Sequence, residues 1–162
     1  MRKVCLVAVD VRSAHNIGSL FRTCDGLGAE LYLVGICPRP KSDDDDRLPH
    51  VAKKAEKEIA KTALGAEQTV RWRHHDTLLA AKHELSKEGY RLVGLEQSDS
   101  SKPIMSLTAD ESVALVVGRE VEGLDLVEQK LCDELYEIPM EGTKESLNVS
   151  VAAAIGLYQL TL

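Results

Sequence analysis

Three short segments carry side chains whose types and spacing could do chemistry. In Asn16-Ile-Gly18-Ser-Leu-Phe-Arg22 a carboxamide and a guanidinium flank a glycine inside an otherwise helical pattern. Glycine there costs about 1 kcal/mol relative to alanine, so its presence requires a steric reason. Gly18, Arg22 and Gly26 align at i+4 spacing away from the apolar face, leaving Arg22 on open surface where another backbone or a phosphate could come close. Taken alone, Asn16 reads as a helix N-cap and Arg22 as half of a surface salt bridge. In Leu115-Val-Val117-Gly118-Arg-Glu120-Val-Glu-Gly123-Leu a buried strand runs into a turn with two glycines around an acid. Open parallel sheets bind ligands beyond the carboxyl ends of their strands, and Gly118 offers its amide there without a Cβ in the way. In the third segment, Ile138-Pro-Met140 leads through a loop to Ser146-Leu147-Asn148-Val-Ser-Val-Ala. Ser146 suits a helix N-cap, whereas Asn148 at the start of an apolar helix has no such structural explanation.

Other polar groupings read more plainly as surface or core. Arg71-Trp72-Arg73-His74-His75 could stack on a base or grip a phosphate. On a strand, however, Trp72 points opposite to both arginines and toward the core, and the histidines make a polar strand end in preference to a metal site. Lys53, Lys54, Lys57 and Lys61, interleaved with Glu56 and Glu58, form a solvated helix face first and a nucleic-acid docking face second. The four aspartates at 43–46, in a segment holding three prolines, read as a solvated acidic loop first and a magnesium site second, since consecutive carboxylates repel one another and diverge. Cys5, Cys24, Cys37 and Cys132 show no C-x-x-C pairing and read as reduced thiols. Neither the dinucleotide G-x-G-x-x-G nor the P-loop pattern occurs.

These groups need a scaffold. Short apolar runs rich in branched residues alternate with helical patterns, which predicts an α/β fold with a largely parallel sheet. Strands are predicted at 4–9, 31–36, 68–72, 91–95, 113–117 and 135–138, and helices at 16–27, 51–62, 77–88, 124–131 and 147–160. With 162 residues the chain reads as a single domain. No stretch approaches the ~20 apolar residues of a membrane helix and no leader is evident, so a cytoplasmic location is expected. The net charge of −6 divides into +2 for residues 1–81 and −8 for residues 82–162, which directs a polyanion to the first half.

Jointly and in order, N-x-G-x-x-x-R at 16–22, G-x-E-x-x-G at 118–123 and I-P-M with S-L-N-V-S-V-A at 138–140 and 146–152 resemble the three motifs of the SpoU branch of the SPOUT RNA methyltransferases. The resemblance spans residues 4–160. It implies a parallel sheet whose C-terminal part threads a loop to form a deep trefoil knot. It also implies S-adenosylmethionine bound in that knot, methyl transfer to a ribose 2′-hydroxyl of RNA, and a homodimer whose active sites draw on both subunits. By motif position Asn16, Arg22, Glu120, Ser146 and Asn148 would be catalytic. Leu95, Val117, Gly118, Gly123, Ile138, Met140, Ser146 and Leu147 would hold the cofactor.

Within that resemblance Arg22 is the candidate for proton removal, yet a guanidinium with a pKa above about 12 is a poor base. An equal alternative has Arg22 fix an RNA phosphate or stabilise the developing alkoxide. Glu120 would orient Arg22 or Asn16. Many relatives carry an N-terminal RNA-binding domain and this chain begins at its first strand, so recognition is expected from the catalytic domain or an accessory protein, with a compact tRNA favoured over rRNA. Arg119 stands where the family often has a small or polar residue. The helix at 147–160 is apolar around most of its circumference, which calls for a second copy, with Ala153 and Gly156 allowing its close approach. A non-catalytic knotted RNA-binding or assembly protein is the alternative.

Overall fold

The computed structural model describes residues 2–162. Its elements run β1 (Val4–Val9), α1 (Ala14–Leu27), β2 (Glu30–Val34), α2 (Pro49–Ala63), α3 (Ala66–Thr69), β3 (Trp72–His75), α4 (Leu78–Lys87), β4 (Arg91–Leu95), β5 (Lys102–Pro103), a short 3₁₀ turn (Ile104–Ser106), β6 (Val113–Val117), α5 (Leu126–Leu131), β7 (Glu134–Glu137) and α6 (Val149–Gln159). The seven strands form one sheet in the order β3-β2-β1-β6-β4-β7-β5. Every pairing is parallel.

Alternate residues of the strands feed two cores, as the period of two demands. Leu6, Ala8, Leu31, Leu33 and Leu115 pack against Ile17, Leu20, Phe21 and Cys24 of α1, Ile59 of α2, and Ala153 and Leu157 of α6. Cys5, Val7, Tyr32, Ala114 and Val116 point the other way, onto Leu78, Ala81 and Leu85 of α4. The steric reason for Gly18 is α2: a Cβ there would lie 2.9 Å from Ala63 N and closer still to Thr62 Oγ1 and Ile59 O. The neighbour is therefore a backbone of this same chain. Gly26, with open space around it, marks no such approach.

Several boundaries differ from the expected ones. The strand expected at 68–72 is the short helix α3 followed by β3, because Ala66 and Val70 reach the core from helical spacing and pairing with β2 starts at Trp72. Trp72 is half-buried and meets Phe21 edge-on at 6.4 Å, in line with its expected direction. β5, at Lys102–Pro103, is an edge strand absent from the predicted set. Helix α1 starts two residues earlier than predicted, with Ser13 as its cap accepting from Asn16 N, so Asn16 is not the N-cap. Helix α6 starts two residues later, capped by Asn148 and not by Ser146.

The inward face of α6 also corrects an expectation. Ala153 and Gly156 are buried against the sheet, and a Cβ on Gly156 would come within 2.6 Å of Leu115 Cδ2, so neither residue is free to admit a partner helix. The outward apolar residues are Val151, Ile155 and Tyr158. No described helix is long and apolar enough to cross a membrane.

Candidate functional site

At the carboxyl end of the sheet, the segments leaving β4, β6 and β7 surround a cleft of about 230 Å³ that the start of α6 closes. Leu95, Val117, Gly118, Gly123, Ile138, Met140, Ser146 and Leu147 all line it, so the third motif and the strand ends meet in space. Glu96, Gln97, Glu122, Glu137 and Glu145 line it too and were not singled out from sequence, since a lone acid after a strand carries no spacing signal.

The wall of the cleft is a pinched loop. Gly118 is buried at the end of β6, and Arg119 and Gly123 exchange backbone hydrogen bonds of 3.3 and 3.1 Å across its base. Gly123 has φ +67°, a left-handed conformation that glycine adopts freely. Glu96 pins the next residue by accepting from Leu124 N at 2.7 Å.

Neighbouring side chains tie this loop down in two directions. Arg119 is bidentate to Glu128 at 2.9 Å, meets Asp10 Oδ2 at 2.6 Å and donates to Gly123 O at 3.1 Å. It therefore braces the loop against α5 and the end of β1, and does not line the cleft as an open side chain alone. Glu120 turns to the β1–α1 connection, accepting from Ser13 N at 3.0 Å, Arg12 N at 3.3 Å and Asn16 Nδ2 at 3.4 Å. Burial pushes the Glu120 carboxyl up, but those donors outweigh it and hold it below its ordinary value. The stabilisation this carboxylate gives is thus present above the ordinary carboxylate range and lost as pH falls through the lowered value.

Glu120 begins a directional relay. Because the carboxylate only accepts, it fixes the Asn16 amide so that Asn16 Oδ1 accepts from Asn148 Nδ2 at 3.3 Å. Asn148 Oδ1 in turn accepts from Ser150 N at 2.9 Å and Ser150 Oγ at 2.6 Å. Asn148 therefore serves as helix cap and as relay member together, and each asparagine keeps one N–H to offer. Glu120 orients Asn16, as one of the two expected alternatives had it. Ser146 lies exposed at the cleft wall without entering the relay.

Arg22 stands apart. It is exposed on α1, six residues and so about 9 Å along the axis from Asn16. It lines a separate cleft with Ser19, Thr23, Lys61, Thr62 and Leu64. Among the described residues it makes no ion pair. The other expected candidates are accounted for by their neighbours: Arg71 pairs with Glu30, Arg73 with Glu84 and Glu88, and His75 with Glu84 while stacking on Tyr32. His74 Nε2 contacts Gly35 O at 2.9 Å. In the acidic loop, Asp45 folds inward onto Arg47 at 2.6 Å, so this loop is laced by an ion pair where a freely solvated run was expected. No cluster of His, Cys, Asp and Glu among the described residues could hold a metal.

Solved SpoU methyltransferases share this fold. The A. aeolicus TrmH/SpoU tRNA modifying enzyme aligns with a TM-score of 0.77 and 25% identity over 98% of this chain and 74% of its own. An AdoMet-bound rRNA methyltransferase from Sinorhizobium meliloti aligns with a TM-score of 0.81 and 21% identity over 97% and 55%. The model of the SpoU rRNA Methylase family matches residues 3–158, and the chain belongs to that family. Among curated relatives, the 23S rRNA (guanosine-2′-O-)-methyltransferase RlmB of Bordetella pertussis is 32% identical over 154 residues, which is 95% of this chain and 57% of that protein. The chain spans a little over half the length of the curated relatives it matches.

Proposed function

We propose that this chain is an S-adenosylmethionine-dependent methyltransferase acting on a ribose 2′-hydroxyl of RNA. The observation that carries the reading is the convergence of all eight residues named for the cofactor on one cleft, with the Glu120–Asn16–Asn148 relay at its rim. The cleft suits a nucleoside-sized cation: Leu95, Ile138, Met140 and Leu147 give apolar walls, Gly118 gives backbone approach, and glutamates at the rim complement a sulfonium. Bound there, S-adenosylmethionine supplies an electrophilic methyl group. The chain's part is to align the hydroxyl oxygen with it and to help the hydroxyl lose its proton. The free N–H groups of Asn16 and Asn148 are oriented to hold the ribose, and Arg22 acts on the phosphate or the developing alkoxide.

The trefoil knot is supported by strand order. β7 fills the slot between β4 and β5, although β5 follows β4 in sequence, and the chain after β7 runs beside the β4–β5 connection, where Gln97 Nε2 donates to Glu145 O at 2.7 Å. The RlmB relatives act on 23S rRNA by name, so the expected preference for tRNA draws no support from them. An RNA substrate also favours a cytoplasmic location.

Calorimetry should give a micromolar dissociation constant for S-adenosylmethionine, an interaction of about 8 kcal/mol. Mass spectrometry of nucleosides from separated tRNA and rRNA of cells with and without the protein then identifies the substrate. No heat with the cofactor or its demethylated product would remove the enzyme and leave a non-catalytic RNA-binding protein.

Asn148→Asp separates cap from relay. Aspartate caps a helix as well as asparagine, so stability should stay within about 0.5 kcal/mol, whereas the lost N–H should cut methylation by about tenfold or more. Unchanged methylation in a folded Asn148→Asp protein would leave Asn148 a cap alone.

A homodimer accounts for two features. Val151, Ile155 and Tyr158 are 47%, 39% and 57% exposed on one side of α6. Arg22 lies away from its own chain's cleft, so a partner subunit would have to bring it there. Ile155→Arg should therefore give monomers by light scattering and lose methylation while retaining its fold. Retained dimers would move the interface elsewhere.

A further inference from the structure

A second cleft, of about 430 Å³, lies between α1 and the C-terminal end of α2. Ser19, Arg22 and Thr23 face Lys61, Thr62 and Leu64 across it, and among the described residues no carboxylate lines it. Thr62 of α2 donates to His15 O of α1 at 2.8 Å, which ties the two helices together, while Ser19 donates to the same carbonyl from within α1 at 3.1 Å. Lys61 is steadied by Glu58 at 2.8 Å and keeps further N–H donors for a ligand. The cleft thus presents two cations and the Thr23 hydroxyl on a rigid frame.

The same chemistry continues along α2. Lys53, Lys54 and Lys57 are all exposed and form no ion pair among the described residues. Residues 53, 57 and 61 are spaced one turn apart, about 6 Å along the axis, close to the phosphate spacing of a nucleic-acid strand. Some cations elsewhere meet acids, Lys82 with Asp133, Arg91 with Glu111 and Glu134, Lys102 with Glu134, and Arg119 with Asp10 and Glu128, whereas Lys87, Lys130 and Lys144 form no ion pair among the described residues. In a protein with 26 acids against 20 bases, a helix carrying four lysines against two glutamates beside that cleft is a site for a polyanion.

We propose that the α1–α2 face is the RNA backbone track: one phosphate seats between Arg22 and Lys61, and neighbouring phosphates of the same strand lie along Lys57, Lys54 and Lys53. This rests on the reading that the substrate is RNA. Helix α1 joins the two functions, since its first turn carries Asn16 of the relay and its third carries Arg22.

The test is the salt dependence of binding to a short fluorescein-labelled oligouridylate, followed by anisotropy, with S-adenosylmethionine calorimetry alongside. The variant Lys53→Gln/Lys54→Gln/Lys57→Gln is compared with Lys82→Gln/Lys87→Gln/Lys130→Gln, which removes equal charge from the α4–α5 side. Three lost phosphate contacts should weaken binding about tenfold at low salt and make the log–log slope shallower by about 2. Cofactor affinity should be unchanged. A wild-type slope in the α2 variant, an equal loss in the control variant, or no oligouridylate binding by the wild type overturns the track. A slope lost only in the α2 variant of a protein that binds no cofactor keeps the track and overturns the methyltransferase reading; normal cofactor binding with an unaltered slope does the reverse.

Discussion

Gly118→Val should abolish detectable S-adenosylmethionine binding, a loss of about a hundredfold or more. A Cβ at Gly118 would lie 2.6 Å from Leu124 N, 2.5 Å from Gly123 O and closer still to Gly123 C. All three are backbone atoms, so no side-chain rotation relieves the clash. The turn must open, which breaks the Arg119–Gly123 backbone pair and draws Leu124 away from Glu96. Gly123 cannot compensate, because its left-handed conformation sets the return of the loop. Overpacking of this kind costs about 1–3 kcal/mol of stability, so thermal unfolding should shift by several degrees without abolishing the fold. Calorimetry on the folded variant reads the result. Wild-type affinity would move the cofactor out of this cleft.

Arg22→Lys should have the opposite profile: normal folding, normal cofactor affinity, and methylation reduced about a hundredfold to a thousandfold. Arg22 is exposed, lines no part of the cofactor cleft and forms no ion pair among the described residues, so neither stability nor the cleft depends on it. Lysine keeps the charge and loses the planar fork that holds a phosphate or alkoxide in two directions. Full activity would reject both roles argued for Arg22. Mixing the two variants tests whether a site is shared. A mixed dimer holds one subunit with an intact cleft and one with an intact Arg22, so random exchange should restore about a quarter of wild-type activity. Two inactive proteins that stay inactive after exchange would confine Arg22 to its own subunit.

Much of the scaffold was legible because periodicity states burial directly. The strands at 4–9, 91–95 and 113–117 match their observed bounds, being apolar runs between clear breaks. Failures fall where local chemistry competes. Ser13 takes the cap of α1 because its hydroxyl reaches Asn16 N, and Asn16 is thereby released for Glu120. Asn148 looked unexplained for a helix interior because it lies outside the helix, as its cap. Residues 68–72 were read with period two although Ala66 and Val70 bury with period four. Gly156 drew attention as a small residue for a partner, and the sequence alone cannot say which of two apolar faces meets the sheet. Glu96 and the Arg119 brace depend on residues far away in sequence, a pairing that spacing does not encode.

The position of β7 has a consequence for biosynthesis. β5 has β7 as its only neighbour in the sheet, and β4 has β7 on one side. Until residues 134–137 leave the ribosome, a nascent chain exposes one edge of β4 and leaves β5 nothing to pair with. The central β1–β6 ladder also waits, since it joins residues 4–8 to 113–117. Such distant pairings form slowly, and bare strand edges recruit other chains. Premature termination anywhere before Glu134 therefore yields a product with an unfinished sheet, a client for chaperones or for aggregation.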